Sequence, residues 1–99
     1  MVNGGKNMIG VNTMIKRVDK IDATEFNDEK VMMDIEKGKY YALNEVGSSI
    51  WDKIESTISV SDIVEKLLEE YDVSIEQCTE EVLNYLNNLE KEKLIEVYE

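Results

Sequence analysis

The sequence predicts one α+β domain, winged-helix-like, with a three-stranded antiparallel sheet followed by three helices. Three observations carry this. A hairpin pattern, "VMMDIEKGKYYAL", ends the β-rich first half. Two stretches with capping-box spacing, "SVSD" and "SIEQ", open helical periodicities in the second half. The 99 residues suffice for one modest core and not for two. Strands first and helices after them is an α+β order.

Taken in order, the start "MVNGGKNMIGVN" carries one lysine and no sustained apolar run, which is not a secretory-signal pattern. Its Gly-Gly and Asn read as a flexible arm over residues 1–12, with the folded domain spanning 13–99. From Ile15 to Phe26, apolar, β-branched and charged residues mix without helical period. This predicts an irregular extended lead-in and then a short strand at about 21–26. "NDEK" is a polar turn. In the hairpin, Glu36-Lys37-Gly38 form a three-residue loop with Gly38 left-handed. Ile35 then pairs with Lys39, Met33 with Tyr41 and Val31 with Leu43. One face carries Val31, Met33, Ile35, Tyr41 and Leu43; the other carries Met32, Asp34, Tyr40 and Ala42. A two-residue loop would mix these sets, so the apolar pattern favours the longer one.

Asn44 is placed to cap the first helix, whose apolar stripe is Val46, Gly47, Ile50, Trp51 and Ile54. Gly47 costs about 1 kcal/mol of helix propensity against alanine, but on that face it allows close packing. Ser59 opens a second helix with Ile63, Leu67, Leu68 and Tyr71. Ser74 opens a third, striped by Cys78, Val82, Tyr85, Leu86 and Leu89, with Leu83 well to one side. "KEKLIEVYE" ends that helix and docks an apolar tail.

Composition narrows the chemistry. Histidine is absent, which removes the commonest general base near neutral pH and the commonest zinc ligand. Cys78 is the single cysteine, so an internal disulfide and a multi-cysteine metal site are excluded. It lies on an apolar stripe and reads as a small core residue rather than a nucleophile. The carboxylates are plentiful, yet none is paired with a histidine or framed by a glycine-rich loop, so they read as solvated surface. No cofactor is expected. No apolar run approaches the roughly 20 residues of a membrane span, and a cytoplasmic protein without membrane contact is expected.

The net charge of −11 is unevenly placed. Residues 1–50 carry 7 basic and 8 acidic side chains, while residues 51–99 carry 4 and 14, a net of −10. A winged-helix layout raises the question of DNA. The third helix offers Gln77, Asn84, Asn87 and Asn88, but its field has the wrong sign for phosphates. No nucleic-acid partner is expected.

The strand Lys39–Leu43 is last in a meander and hence an edge. Its outer N–H and C=O groups stay unpaired unless something covers them. An edge beside a helix with off-centre apolar residues can accept an extended peptide, with main-chain hydrogen bonds giving affinity and pockets giving specificity. The same edge, or a swap of the N-terminal arm, would also allow a homodimer.

"VMMDIEKGKYYALNEVGSSIWDKI", "SVSDIVEKLLEEYDV" and "VLNYLNNLEKEKLI" together resemble the PqqD-like proteins, the recognition elements for ribosomally made, post-translationally modified peptides. The likeness runs from about Ile15 to Val97, and the Leu43-Asn44 junction, Gly47, Ile50-Trp51 and Leu94-Ile95 are its most specific parts. It implies a non-catalytic protein that holds the leader of a precursor peptide along the third strand of its sheet and against its third helix. Carried over, the peptide-binding residues are Lys39, Tyr40, Tyr41, Ala42 and Leu43, with Val82, Leu83, Tyr85, Leu86 and Leu89 on the helix side. The discrete leader-binding subunits of lasso-peptide pathways are the most similar kind, and those partner with a leader peptidase and a cyclase. Similar proteins serve radical-SAM maturases, pyrroloquinoline quinone synthesis included.

Overall fold

Each helix begins where a side chain takes the place of a missing backbone partner. The first turn of a helix leaves N–H groups without intrahelical acceptors. Asn44 Oδ1 accepts the Gly47 N–H at 2.7 Å, Ser59 Oγ that of Asp62 at 3.1 Å, and Ser74 Oγ that of Gln77 at 3.1 Å. The three helices are α1 (Glu45–Lys53), α2 (Val60–Glu70) and α3 (Ile75–Lys91). In the computed structural model, residues 9–19, 21–26, 29–34 and 36–98 are described. Among these described residues six strands accompany the helices: β1 (Met14–Arg17), β2 (Asp22–Phe26), β3 (Glu29–Asp34), β4 (Lys39–Leu43), β5 (Ile58–Ser59) and β6 (Ile95–Tyr98).

The strands form two antiparallel sheets, ordered β2-β3-β4 and β5-β1-β6. The first is the expected meander. The second is an addition: the stretch expected to be an irregular lead-in is β1, and the apolar tail is β6. Ile15 lies opposite both Ile58 and Val97. Four-residue strands show little alternation, and β1 draws its partners from distant parts of the chain. Residues 9–13 also join the domain, because Ile9 is buried and the carbonyls of Val11 and Thr13 accept the Ser61 and Val60 N–H groups. Residues 1–8 of the expected arm lie outside the described residues.

The hairpin register is one residue away from the expected one. Met32 pairs with Tyr41, Met33 with Tyr40 and Asp34 with Lys39. Ile35, expected opposite Lys39, lies outside the described residues. Gly38 does adopt the left-handed conformation, with φ 68°. The cause of the shift is Asp34: buried, it accepts the Lys37 N–H with Oδ1 at 3.2 Å, and its carbonyl accepts the Gly38 N–H at 2.8 Å. Asp34 thus closes the turn from the end of its strand. Met32, Tyr41 and Leu43 turn to the helices, and Val31, Met33, Tyr40 and Ala42 face outward.

The core lies between the sheets and the helices, around Trp51, Ile15, Met32, Ile50, Leu86 and Leu94. Each such side chain contributes roughly 1.5–3 kcal/mol by leaving water. Arg17 stacks its guanidinium 5.3 Å from the Trp51 ring centroid and donates to the Trp51 carbonyl at 3.1 Å, joining β1 to α1. The end of α3 is closed by two bonds: Leu94 N–H to the Leu89 carbonyl and Lys93 N–H to the Glu90 carbonyl, both 2.9 Å. Lys93 takes the left-handed position, φ 62°, that this cap requires.

Candidate functional site

β4 is last in its sheet and, among the described residues, pairs with β3 alone. Alternate N–H and C=O groups of an edge strand point away from its neighbour and can take a further strand. The side chains of β4 alternate accordingly. Leu43 is buried, Tyr41 is half-buried, and Lys39, Tyr40 and Ala42 are exposed, Tyr40 at 70%.

α3 runs alongside in the opposite direction. At the hairpin end it is clasped by Glu92, whose carboxylate accepts the Tyr41 hydroxyl at 3.0 Å and lies 4.0 Å from Lys39 Nζ. The Glu92 carbonyl accepts from Lys37 Nζ. Partial burial and then the Glu92 carboxylate push the Tyr41 phenol above its ordinary value. Beyond Leu43 the two elements part around a cleft of about 410 Å³. Val46, Gly47 and Ile50 of α1 form one wall, with Asn44 at its mouth. Glu81, Asn84, Tyr85 and Asn88 of α3 form the other.

Gly47 and Tyr85 set the width of this cleft. A Cβ at position 47 would come 3.0 Å from Tyr85 Oη and 3.1 Å from Asn44 Oδ1. The Tyr85 hydroxyl is buried against α1 without a hydrogen-bond partner among the described residues, and burial raises its phenol well above the ordinary value.

Of the helix residues expected at the site, Tyr85 lines the cleft. Val82, Leu86 and Leu89 are each 5% exposed or less and support it from the core. Leu83 lines a separate concavity with Ile75, Glu76, Thr79 and Glu80. Glu81 and Glu92 are additions, and Asn84 and Asn88, noted as candidate base readers, face this cleft instead. Their signal is a polar stripe at helical spacing beside the apolar one, which in sequence looks like ordinary surface.

A third concavity, about 480 Å³, lies on the outward face of the β2-β3-β4 sheet and is lined by Thr24, Val31, Met33, Tyr40 and Ala42. The three concavities are of similar volume, so lining chemistry distinguishes them. The sheet face is almost wholly apolar, and the α1–α3 cleft is mixed. No group of three or more His, Cys, Asp or Glu among the described residues is arranged to hold a metal ion, and none of their helices is long and apolar enough to cross a membrane.

Fold and site together define a small winged-helix-like α+β module with an open strand edge beside its last helix. Residues 29–95 match the family described as Coenzyme PQQ synthesis protein D (PqqD), and the chain belongs to that family. Among solved structures it is similar to TbiB1 in complex with the TbiA(beta) leader peptide, with 28% identity and a TM-score of 0.74, covering 82% of this chain and 94% of that one. A lasso peptide synthetase B1 complexed with the leader peptide has the same fold, with 18% identity and a TM-score of 0.74, covering 83% and 96%. No curated protein is similar enough to count as a match.

Proposed function

We propose that this protein binds the leader of a ribosomal precursor peptide as an added strand on β4 and presents it to a processing enzyme. The observation that carries this reading is the open edge of β4 beside α3, in a chain 28% identical to a protein solved with a leader peptide. The guest's main chain would pair with Lys39–Leu43. Its inward side chains would meet Tyr41, Tyr85 and the α1–α3 cleft, with Val82, Leu86 and Leu89 as support. Leu83, set apart, is assigned no guest contact. The role is recognition rather than catalysis: holding substrate and enzyme together raises the effective concentration of one at the other.

The enzyme needs a surface of its own. A strand added to β4 extends the outward sheet face, so Val31, Met33, Tyr40 and Ala42 would lie in one plane with the guest's outward side chains. An enzyme docked on that face touches carrier and substrate at once. We assign the face to a leader peptidase of a lasso-peptide pathway, working with a cyclase, in the cytoplasm. The family match supports a second reading, in which a radical-SAM maturase takes that place. Without a guest, the β4 edge is also open to a second copy of the chain.

Calorimetric titration with the synthetic leader of the neighbouring precursor gene tests the reading. Saturable binding is expected, lost when guest amides facing β4 are N-methylated. Equal affinity for the methylated and unmodified leaders would exclude strand addition. Leu83→Asp should bind like the parent. Met33→Glu should keep leader affinity and lose stimulation of the processing enzyme.

A further inference from the structure

We propose that the guest peptide carries a lysine or arginine that seats in the α1–α3 cleft, its stem between the helices and its charge at Glu81. The inference rests on the peptide-binding reading above and adds the side-chain chemistry of one guest position. Position comes first: Asn44 directly follows Leu43, so a strand paired along β4 and continuing past Leu43 arrives at the cleft mouth.

The lining fits a long amphipathic side chain. Half-buried Val46, backed by the buried Ile50, offers apolar surface for a methylene stem, and lysine and arginine bury their stems while keeping the head in a polar setting. The head group needs acceptors, since neither side chain can accept a hydrogen bond. Glu81 supplies a carboxylate, and Asn84 and Asn88 supply amide oxygens. Glu81 accepts from the neutral Gln77 side chain at 3.1 Å and forms no ion pair with any described residue. No lysine or arginine among the described residues lines the cleft.

The α1 N-terminus works against a cation, because its N–H groups favour negative charge. Two groups blunt it here: Asn44 Oδ1 caps the Gly47 N–H, and Glu45 lies in the first turn. The wider field has the same sign as Glu81, since residues 51–99 carry a net charge of −10. An acidic guest residue would meet an uncompensated carboxylate. An aromatic one would strip water from Glu81 and two amides without returning their hydrogen bonds.

The test selects binders from a phage-displayed library of random twelve-residue peptides on the intact protein and on Glu81→Gln and Glu80→Gln. Glu80 is exposed on α3 outside the cleft, so Glu80→Gln removes the same charge from elsewhere. The expected result is a lysine or arginine at one fixed position of the selected peptides. Exchanging that residue for glutamine should weaken binding about tenfold on the parent and on Glu80→Gln, and by less than about threefold on Glu81→Gln. Selected peptides without a basic residue at a fixed position, or a preference that survives in Glu81→Gln, would overturn the inference and leave the peptide-binding reading standing. A library that yields no binder, with a neighbouring leader that does not bind either, would remove both.

Discussion

Lys93 ends α3 in the left-handed region, where an L side chain costs about 1–2 kcal/mol that glycine avoids. Lys93→Gly should therefore stabilise the protein by about 1 kcal/mol, read as a higher urea midpoint. Tyr85 holds a different reserve. Its buried hydroxyl lacks a partner among the described residues, so Tyr85→Phe should be neutral or stabilising by about 1 kcal/mol. The raised phenol has a signed consequence. The unfolded chain releases this proton near pH 10, and the folded chain keeps it to higher pH. Stability is thus fully present below pH 10 and drains away as pH rises above it. Tyr85→Phe should flatten the alkaline limb of a stability–pH curve. Gly47→Ala sets a helix-propensity gain of about 1 kcal/mol against overpacking of about 1–3 kcal/mol where its Cβ meets Tyr85 Oη and Asn44 Oδ1. A net loss of about 1 kcal/mol is expected, and it should shrink in the Tyr85→Phe background, as a double-mutant cycle would measure.

β4 and α3 owe their spacing to the Glu92 clasp as well as to the core. Glu92→Ala frees the Tyr41 hydroxyl and Lys39 while leaving the backbone carbonyl to Lys37. It should cost about 1 kcal/mol or less of stability and weaken leader binding several-fold, a split visible by comparing melting and titration data. These two elements also show what the sequence could reveal. Helix starts were legible because capping is local: Asn44, Ser59 and Ser74 sit within three residues of the N–H groups they accept. The hairpin was legible, but its register was not, because Met32 and Met33 put apolar residues on both parities and Asp34 is consumed by the loop. On α3 the stripe that announces a helix is the stripe the core takes, so Val82, Leu86 and Leu89, legible as apolar, lie buried beneath the cleft. Glu81, Asn84 and Asn88 become distinctive only once α1 stands opposite. β1 and β6 were hidden because neither carries a pattern without the other.

The whole molecule carries −11 on an 11.4 kDa chain, with the excess in the half that holds α2 and α3. Self-repulsion of that size opposes compaction. Sodium chloride at a few tenths molar should raise the melting temperature by shortening the screening length to well under about 10 Å. The same salt should slow association with a basic guest. Acid acts in another direction. Lys53 and Ser49 hold the Glu70 carboxyl below the ordinary carboxylate range, so that contact supports the fold above that range and is lost as pH falls through it. The α+β class was legible from the order of patterns alone. The second sheet has a consequence for biosynthesis. During translation the β2-β3-β4 meander emerges early and pairs with near neighbours, whereas β1 must wait for β6, made only after every helix. The β4 edge would thus be laid down before the small sheet can close, and a precursor bound there as proposed would meet a half-built receptor on the ribosome rather than a finished one.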